Sequence, residues 1–282
     1  MTRHRIPTLT AAGILAMSLA TLTGCASGPS IDTRYTAQGQ DSRVLFLILH
    51  YTDENLADSI RILTQQQVSS HYLLSDESPP VIYRLVDENR RAWHAGDSFW
   101  KGNAMLNASS IGIEIVNAGG RLPQGGQQHG PAPAARIGDV QFAPYPPAQI
   151  DALIALVKDI VTRHQIKPER ILGHSDIAPQ RKIDPGAAFP WKRLADAGLI
   201  PWPDAQKVAA QQKRYEQALP DVAWFQQALA AHGFKVPSNG VLDEATRRVI
   251  SAFQLKYRPE KFDGQPDAHT AALLQVLTAP AP

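Results

Sequence analysis

Apolar positions recur along the chain in two rhythms. Residues 44–49 form an unbroken apolar run rich in β-formers and too short for a helix of its own, which predicts a strand covered on both faces and ending at His50. Leu56, Ile60 and Leu63 follow at helical spacing, and residues 71–74 and 81–86 predict short strands before the turn-rich Asp87-Glu88-Asn89. Residues 111–116 alternate, so that Ile111, Ile113 and Ile115 share one face while Glu114 points to the other. Pro146-Pro147 opens an amphipathic helix whose stripe is Ile150, Leu153, Ile154, Val157, Ile160 and Val161. Residues 170–172 predict one more strand, running into Gly173-His174. Strands interleaved with helices predict an α/β domain over 40–198, a central mixed sheet flanked by helices.

Between the last two of these strands, residues 119–147 are rich in Gly, Pro and Gln and read as a long surface loop or lid, with a plain insertion as the equal alternative. Residues 199–220, opening on Ile200-Pro201-Trp202-Pro203 and continuing in Gln, Lys and Ala, read as a linker. Beyond it the stripes Val222/Phe225/Leu229 and Val249/Ile250/Phe253, broken by Gly233, Asn239-Gly240 and Asp263-Gly264, predict a second, small all-α domain of three helices over 221–278.

Composition changes this picture in one respect. With 44% hydrophobic and 19% charged residues and a net charge of +2, the chain is ordinary for a globular protein and gives no reason to expect a nucleic-acid partner. Its single cysteine, Cys25, excludes an internal disulfide and any multi-thiolate metal site, so metal ligands must come from His, Asp or Glu. Arg3, His4 and Arg5, the apolar stretch that follows and Leu22-Thr23-Gly24-Cys25 read as an export signal over 1–24; the apolar run falls short of the ~20 residues that span a bilayer. The Leu-x-Gly-Cys ending resembles the lipobox of bacterial lipoproteins. That resemblance implies lipid on Cys25, a membrane partner through that anchor, a tether over 25–39 and, with Ala26 following in a diderm host, an outer-membrane lipoprotein facing the periplasm.

The densest chemistry lies in Gly173-His174-Ser175-Asp176-Ile177-Ala178-Pro179-Gln180-Arg181-Lys182-Ile183-Asp184-Pro185-Gly186. Pro179 and Pro185 stiffen a loop that can fold back and bring His174 and Asp184 to one point. His50, at the end of a buried strand, could supply a third ligand. A His₂-carboxylate set with one open position is the arrangement of catalytic rather than structural zinc. Taken singly, His50 can also be a satisfied histidine at a strand end, Glu114 a carboxylate on a half-exposed strand and Lys182 a solvated loop lysine. Asp176 reads as a turn-forming residue, and His71, His129 and His164 receive no role.

Four ordered motifs, Leu49-His50-Tyr51-Thr52, Ala92-Trp93-His94-Ala95-Gly96, Ser110-Ile111-Gly112-Ile113-Glu114 and the 173–186 loop, resemble the type 2 N-acetylmuramoyl-L-alanine amidase family over about residues 40–195. The resemblance implies Zn2+ on His50, His174 and Asp184, with Glu114 and Lys182 beside it as catalytic residues and His94 lining the substrate groove. Glu114 would then serve as general base toward water and Lys182 as a donor to the oxyanion. The implied reaction is hydrolysis of the amide between the muramic acid lactyl group and L-alanine in peptidoglycan or muropeptides.

The tail resembles the peptidoglycan-binding type 1 module in Phe225-Gln226, Gly233-Phe234, Gly240-Val241-Leu242-Asp243, Thr246, Phe253-Gln254 and Asp263-Gly264. Residues 256–262 depart from that module's usual Gly-Leu before the Asp-Gly turn. Two other functions stay open at this level: a non-catalytic peptidoglycan-binding lipoprotein, against which all three ligand positions are filled, and a zinc peptidase acting within the stem peptide.

Overall fold

Four parallel strands and an antiparallel edge strand carry everything else in the protein. The computed structural model describes Met1 and residues 29–123 and 134–279. Residues 2–24 of the export segment, Cys25 and His129 lie outside the described residues. The chain divides into two units, Met1–Asp41 and Ser42–Pro282. In the first, the described residues 29–41 hold no helix or strand, and Arg34 pairs with Asp32 at 2.6 Å.

In the second unit, strand β1 (Phe46–Tyr51) leads to helix α1 (Leu56–Gln65), which Asn55 caps by accepting the Asp58 N–H. Strands β2 (Tyr72–Leu74), β3 (Ile82–Arg84), β4 (Phe99–Trp100), β5 (Asn103–Ala104) and β6 (Ser110–Ile115) follow. Then come β7 (Gly120–Arg121), β8 (Gln141–Phe142), helix α2 (Pro147–His164), β9 (Ile171–Gly173) and the single-turn α3 (His174–Ile177). Helices α4 (Trp191–Asp196), α5 (Ala205–Gln217), α6 (Val222–His232), α7 (Glu244–Tyr257) and α8 (Ala268–Thr278) complete the chain. The sheet order is β3-β2-β6-β1-β9, with only β3 antiparallel to its neighbour. The mixed sheet and the helical C-terminal part are thus as the hydrophobic rhythm predicts.

Alternation along the strands sorts the two faces. Leu47 and Leu49 of β1 join Ile111, Ile113 and Ile115 of β6 in a core closed by Ile150, Leu153, Val157 and Ile160 of α2. Each such side chain, fully buried, contributes about 1.5–3 kcal/mol. Gln149 is the polar exception on α2, and its amide donates to Ser75 O and Val116 O. The opposite face presents Phe46, Ile48 and Leu172, which pack into one continuous cluster with Phe225, Leu229, Val249 and Phe253 of the C-terminal helices.

Two segments read as connections carry structure of their own. Residues 199–220, read as a linker, contain α5, which packs along α8. Its apolar stripe is only Val208 and Tyr215, two turns apart on a polar helix, and Tyr215 also donates to Gln275. The helical part therefore has four helices among the described residues, with Asp204, Asp221, Asp243 and Asp267 each capping the N-terminus of one. The segment 119–147 is also more ordered at its ends than a surface loop: β7 pairs with β8, and Ile137 and Val140 are buried with Ile183 and Leu255. No helix among the described residues is long and apolar enough to cross a membrane.

Glu88 ties the chain after β3 to the end of α2, accepting from Tyr72 Oη at 2.6 Å, Arg163 Nη2 at 2.8 Å and His164 Nε2 at 2.9 Å. Burial by itself pushes the Glu88 carboxyl up, but hydrogen bonds from Arg163, Tyr72 and His164 outweigh it and hold the pKa at about 2. A depressed folded-state pKa stabilises the protein above the unfolded value and is lost as pH falls toward the folded one. Urea midpoints measured from pH 4.5 down to about 2 are therefore expected to fall more steeply for the parent than for Glu88→Gln; parallel curves would show that Glu88 carries no such linkage.

Candidate metal centre

The parallel register delivers the site. His50 stands near the end of β1, opposite Glu114 of β6, while Leu49 stands opposite Gly173, the last residue of β9. The chain then turns into α3 with His174 as its first residue. Asp184 arrives on the loop after α3, and the Ser175 N–H donates to Asp184 O at 2.9 Å, so the turn carrying one side chain also holds the other. Side chains at the carboxyl ends of parallel strands lie where open α/β sheets place their ligands.

His50, His174 and Asp184 are buried, and their ligating atoms lie within 4.8 Å of one another. His50 Nδ1 is 2.9 Å from His174 Nδ1, and each is 3.2 Å from Asp184 Oδ2. The outer nitrogens decide what the inner ones carry. His174 Nε2 faces Ala95 O at 3.3 Å, an acceptor only, so this nitrogen bears the proton. Burial lowers the His174 pKa to about 4, so near neutral pH its Nδ1 is a bare lone pair. On the other ring, His50 Nε2 is 3.0 Å from His94 Nδ1, His94 Nε2 is 3.2 Å from Ser110 Oγ, and Ser110 Oγ donates to Leu106 O at 2.6 Å.

Followed back from Leu106 O, this chain assigns the protons. Ser110 gives its hydrogen to the carbonyl and accepts from His94 Nε2, which leaves His94 Nδ1 to accept from His50 Nε2. Burial holds His94 well below the ordinary histidine range, consistent with a neutral ring. In the neutral ring this order makes Nδ1 the lone-pair nitrogen of His50. Two imine nitrogens and a carboxylate oxygen facing one point without a proton between them repel one another unless a cation sits there, and the donor set suits zinc.

Above this group lies a cavity of about 190 Å³ lined by Glu114, Lys182, Trp93, Thr52 and Val68 along with the three ligands. Glu114 Oε2 is buried there with no hydrogen-bond partner among the described residues, and burial raises the carboxyl to about 7. Lys182 is half-buried at the cavity wall, on a turn closed by Lys182 N–H to Ala178 O at 3.0 Å. His94 lines the floor, held by its own N–H and that of Ala95 on Asn107 Oδ1 at 3.1 and 2.7 Å. Both its ring nitrogens are committed to protein partners, so the ring lines the cavity as a supporting wall behind His50. Trp93 is 50% exposed, which places it at the mouth and not in the core.

Sequence reasoning missed several supporting residues. Arg181 binds Ala95 O and Asp97 O and so ties the 178–184 loop to the segment holding His94. His71 is fully buried, accepting from the Gly112 N–H at 3.1 Å and donating to Arg90 O at 3.1 Å. Asp176, read as a turn former, accepts from the Gly173 N–H and also pairs with Lys256 of α7, a contact that no local pattern announces. The glycine in Ile111-Gly112-Ile113 was a readable signal: a Cβ there would lie 2.5 Å from the His94 ring.

Comparison with known proteins agrees with this geometry. Residues 40–187 match the family described as N-acetylmuramoyl-L-alanine amidase, and residues 219–274 match a peptidoglycan binding domain. The chain is 42% identical over 270 residues to the N-acetylmuramoyl-L-alanine amidase AmiD of Escherichia coli (strain K12), covering 91% of this chain and 93% of that protein. The solved complex of E. coli AmiD with the substrate anhydro-N-acetylmuramic acid-L-Ala-D-gamma-Glu-L-Lys superposes with a TM-score of 0.76 at 41% identity, covering 89% of this chain and 94% of that one. AmpDh3 of Pseudomonas aeruginosa in complex with anhydromuramic pentapeptide gives 0.77 at 37% identity, over 88% and 96% of the two chains.

Gly112→Ala is expected to drive the His94 ring off Ser110 and His50 and to cost about 1–3 kcal/mol of stability, the usual penalty of overpacking. Urea denaturation measures it, and a variant as stable as the parent would mean the ring has room to retreat.

Proposed function

The chain belongs to the N-acetylmuramoyl-L-alanine amidase family, and we propose that it cuts the amide between the muramic acid lactyl group and L-alanine in peptidoglycan fragments by zinc-assisted hydrolysis. The observation that carries this reading is the convergence of two histidine nitrogens and a carboxylate oxygen in a cavity that Glu114 also lines with a buried, unpartnered Oε2. Fragments carrying the 1,6-anhydro sugar are included, because both solved relatives hold anhydromuramyl peptides.

His50, His174 and Asp184 are the residues that would hold the metal. Zinc bound there supplies Lewis acidity to the scissile carbonyl and lowers the pKa of a water to ~7. Glu114, poised near neutrality, takes a proton from the attacking water as its oxygen bonds to the lactyl carbonyl carbon. Lys182 donates to the carbonyl oxygen as it gains negative charge. When the C–N bond breaks, Glu114 returns its proton to the departing nitrogen, leaving a lactyl carboxylate and a stem peptide with a free L-alanine amine. His94 keeps His50 in the tautomer whose Nδ1 faces the metal, and the half-exposed Trp93 indole at the mouth offers an apolar face to a sugar ring.

The helical part, which matches a peptidoglycan binding domain, is read as holding the enzyme near its substrate. Cys25 at the end of Leu22-Thr23-Gly24 is read as a lipid anchor that keeps it at the outer membrane facing the periplasm.

The test uses a chain beginning at Ala26, incubated with defined muropeptides, with product masses read before chelation, after it and after zinc is returned. Cleavage of the lactyl–L-alanine amide that chelation abolishes and zinc restores is expected; cleavage inside the stem peptide would make this a peptidase, and none at all a binding protein. His174→Ala should lose both zinc and activity. Glu114→Gln should keep zinc but lose about 10²–10⁴-fold in kcat, the range of a positioned acid–base group, and a near-parental kcat would remove Glu114 from the chemistry.

A further inference from the structure

One buried cation crosses from the helical part into the amidase fold. Lys256, near the end of α7, is 5% exposed, and its Nζ lies 2.9 Å from Asp176 Oδ2, 3.3 Å from Ile171 O and 4.3 Å from the centre of the Trp191 ring. Asp176 is itself 2% exposed, and the same Oδ2 accepts the Gly173 N–H at 2.8 Å. That hydrogen bond closes the turn between β9 and α3, on which His174 is the first residue, and Ser175 in the same turn holds Asp184 O.

We infer that Lys256 is a positioning residue for the metal centre, acting through Asp176, so that the helical part is a structural component of the site as well as a wall-binding element. The inference rests on the metal reading above. Among the described residues Lys256 is the one ion-pair partner of Asp176, and its Nζ and the Gly173 N–H meet on the same carboxylate oxygen. Without the ammonium, the Gly173 N–H is the one hydrogen-bond donor left to that carboxylate among the described residues, and its hold on Gly173 weakens. The turn then loosens, and with it the line from His174 through Ser175 to Asp184. Lys256 thereby supports two of the three ligands without touching either.

The whole chain from Ala26 serves for the test, with zinc affinity measured by competition against a chromophoric chelator and folding checked by thermal melting. Lys256→Met is expected to weaken zinc binding about tenfold or more, the scale seen when partners behind metal ligands are lost. Lys256→Met combined with Asp176→Asn, which removes the lone charge while the asparagine oxygen still accepts from Gly173, should recover to within about threefold of the parent. A folded Lys256→Met that binds zinc within twofold of the parent overturns the inference, as does a double variant no better than the single one. Should Lys256→Met not fold, the double variant decides: it is expected to fold and bind zinc within threefold, and failure in either overturns the inference. A parent that takes up no zinc overturns the metal centre itself, and this inference with it.

Discussion

Everything at the centre depends on the register between β1 and its two parallel neighbours. Pairing His50 with Glu114 and Leu49 with Gly173 puts one ligand, the carboxylate above it and the turn bearing the second ligand at the same height on the sheet. Because side chains alternate, a slip of one residue would send His50 into the α2 core and Leu49 into the cavity. The isoleucines of β6 and the leucines of β1 prevent this, since any shift would expose them. Hydrophobic burial on one face thus holds polar chemistry in place on the other.

The same face explains why the C-terminal helices are more than an appendage. Phe46, Ile48 and Leu172 share one buried cluster with Trp100, Leu106 and Ile177 and with Phe225, Leu229 and Phe253 of the C-terminal helices. Burying this surface fixes α7 beside α3, and that proximity is what allows a lysine on one to reach an aspartate on the other. Among the described residues, this apolar interface carries one salt bridge, Lys256 to Asp176, behind the turn that bears His174.

Much of this was legible in residue order. The 44–49 run, the alternation around Glu114 and the 150–161 stripe gave the sheet and its main helix, because burial writes its period directly into local sequence. The three ligands were legible as residue types with a proline-stiffened loop between two of them. The α5 helix was not, since two apolar residues on a polar background leave almost no periodic signal and its partner α8 lies some sixty residues away, the separation of Tyr215 from Gln275. Lys256 and Arg181 were invisible for the same reason: each acts on backbone or carboxylate atoms distant in sequence, and a lysine or arginine on a helix or loop is ordinarily a surface residue. The proton order from His50 to Ser110 was hidden too, because a tautomer belongs to a network and not to a motif.

The β7–β8 pairing closes the neck of the 119–147 excursion, with Gly120 opposite Phe142 and Arg121 opposite Gln141. Just beyond the neck, Tyr145 Oη donates to Pro185 O, next to the ligand Asp184. The two ends of the excursion are thus clamped, and within it Ile137 and Val140 pack against Ile183 and Leu255. For such a clamped segment, doubling the length adds only about 0.6 kcal/mol of closure entropy. The length of that stretch can therefore change at little entropic expense while the metal loop stays where it is, provided that Ile137 and Val140 keep their places against Ile183 and Leu255.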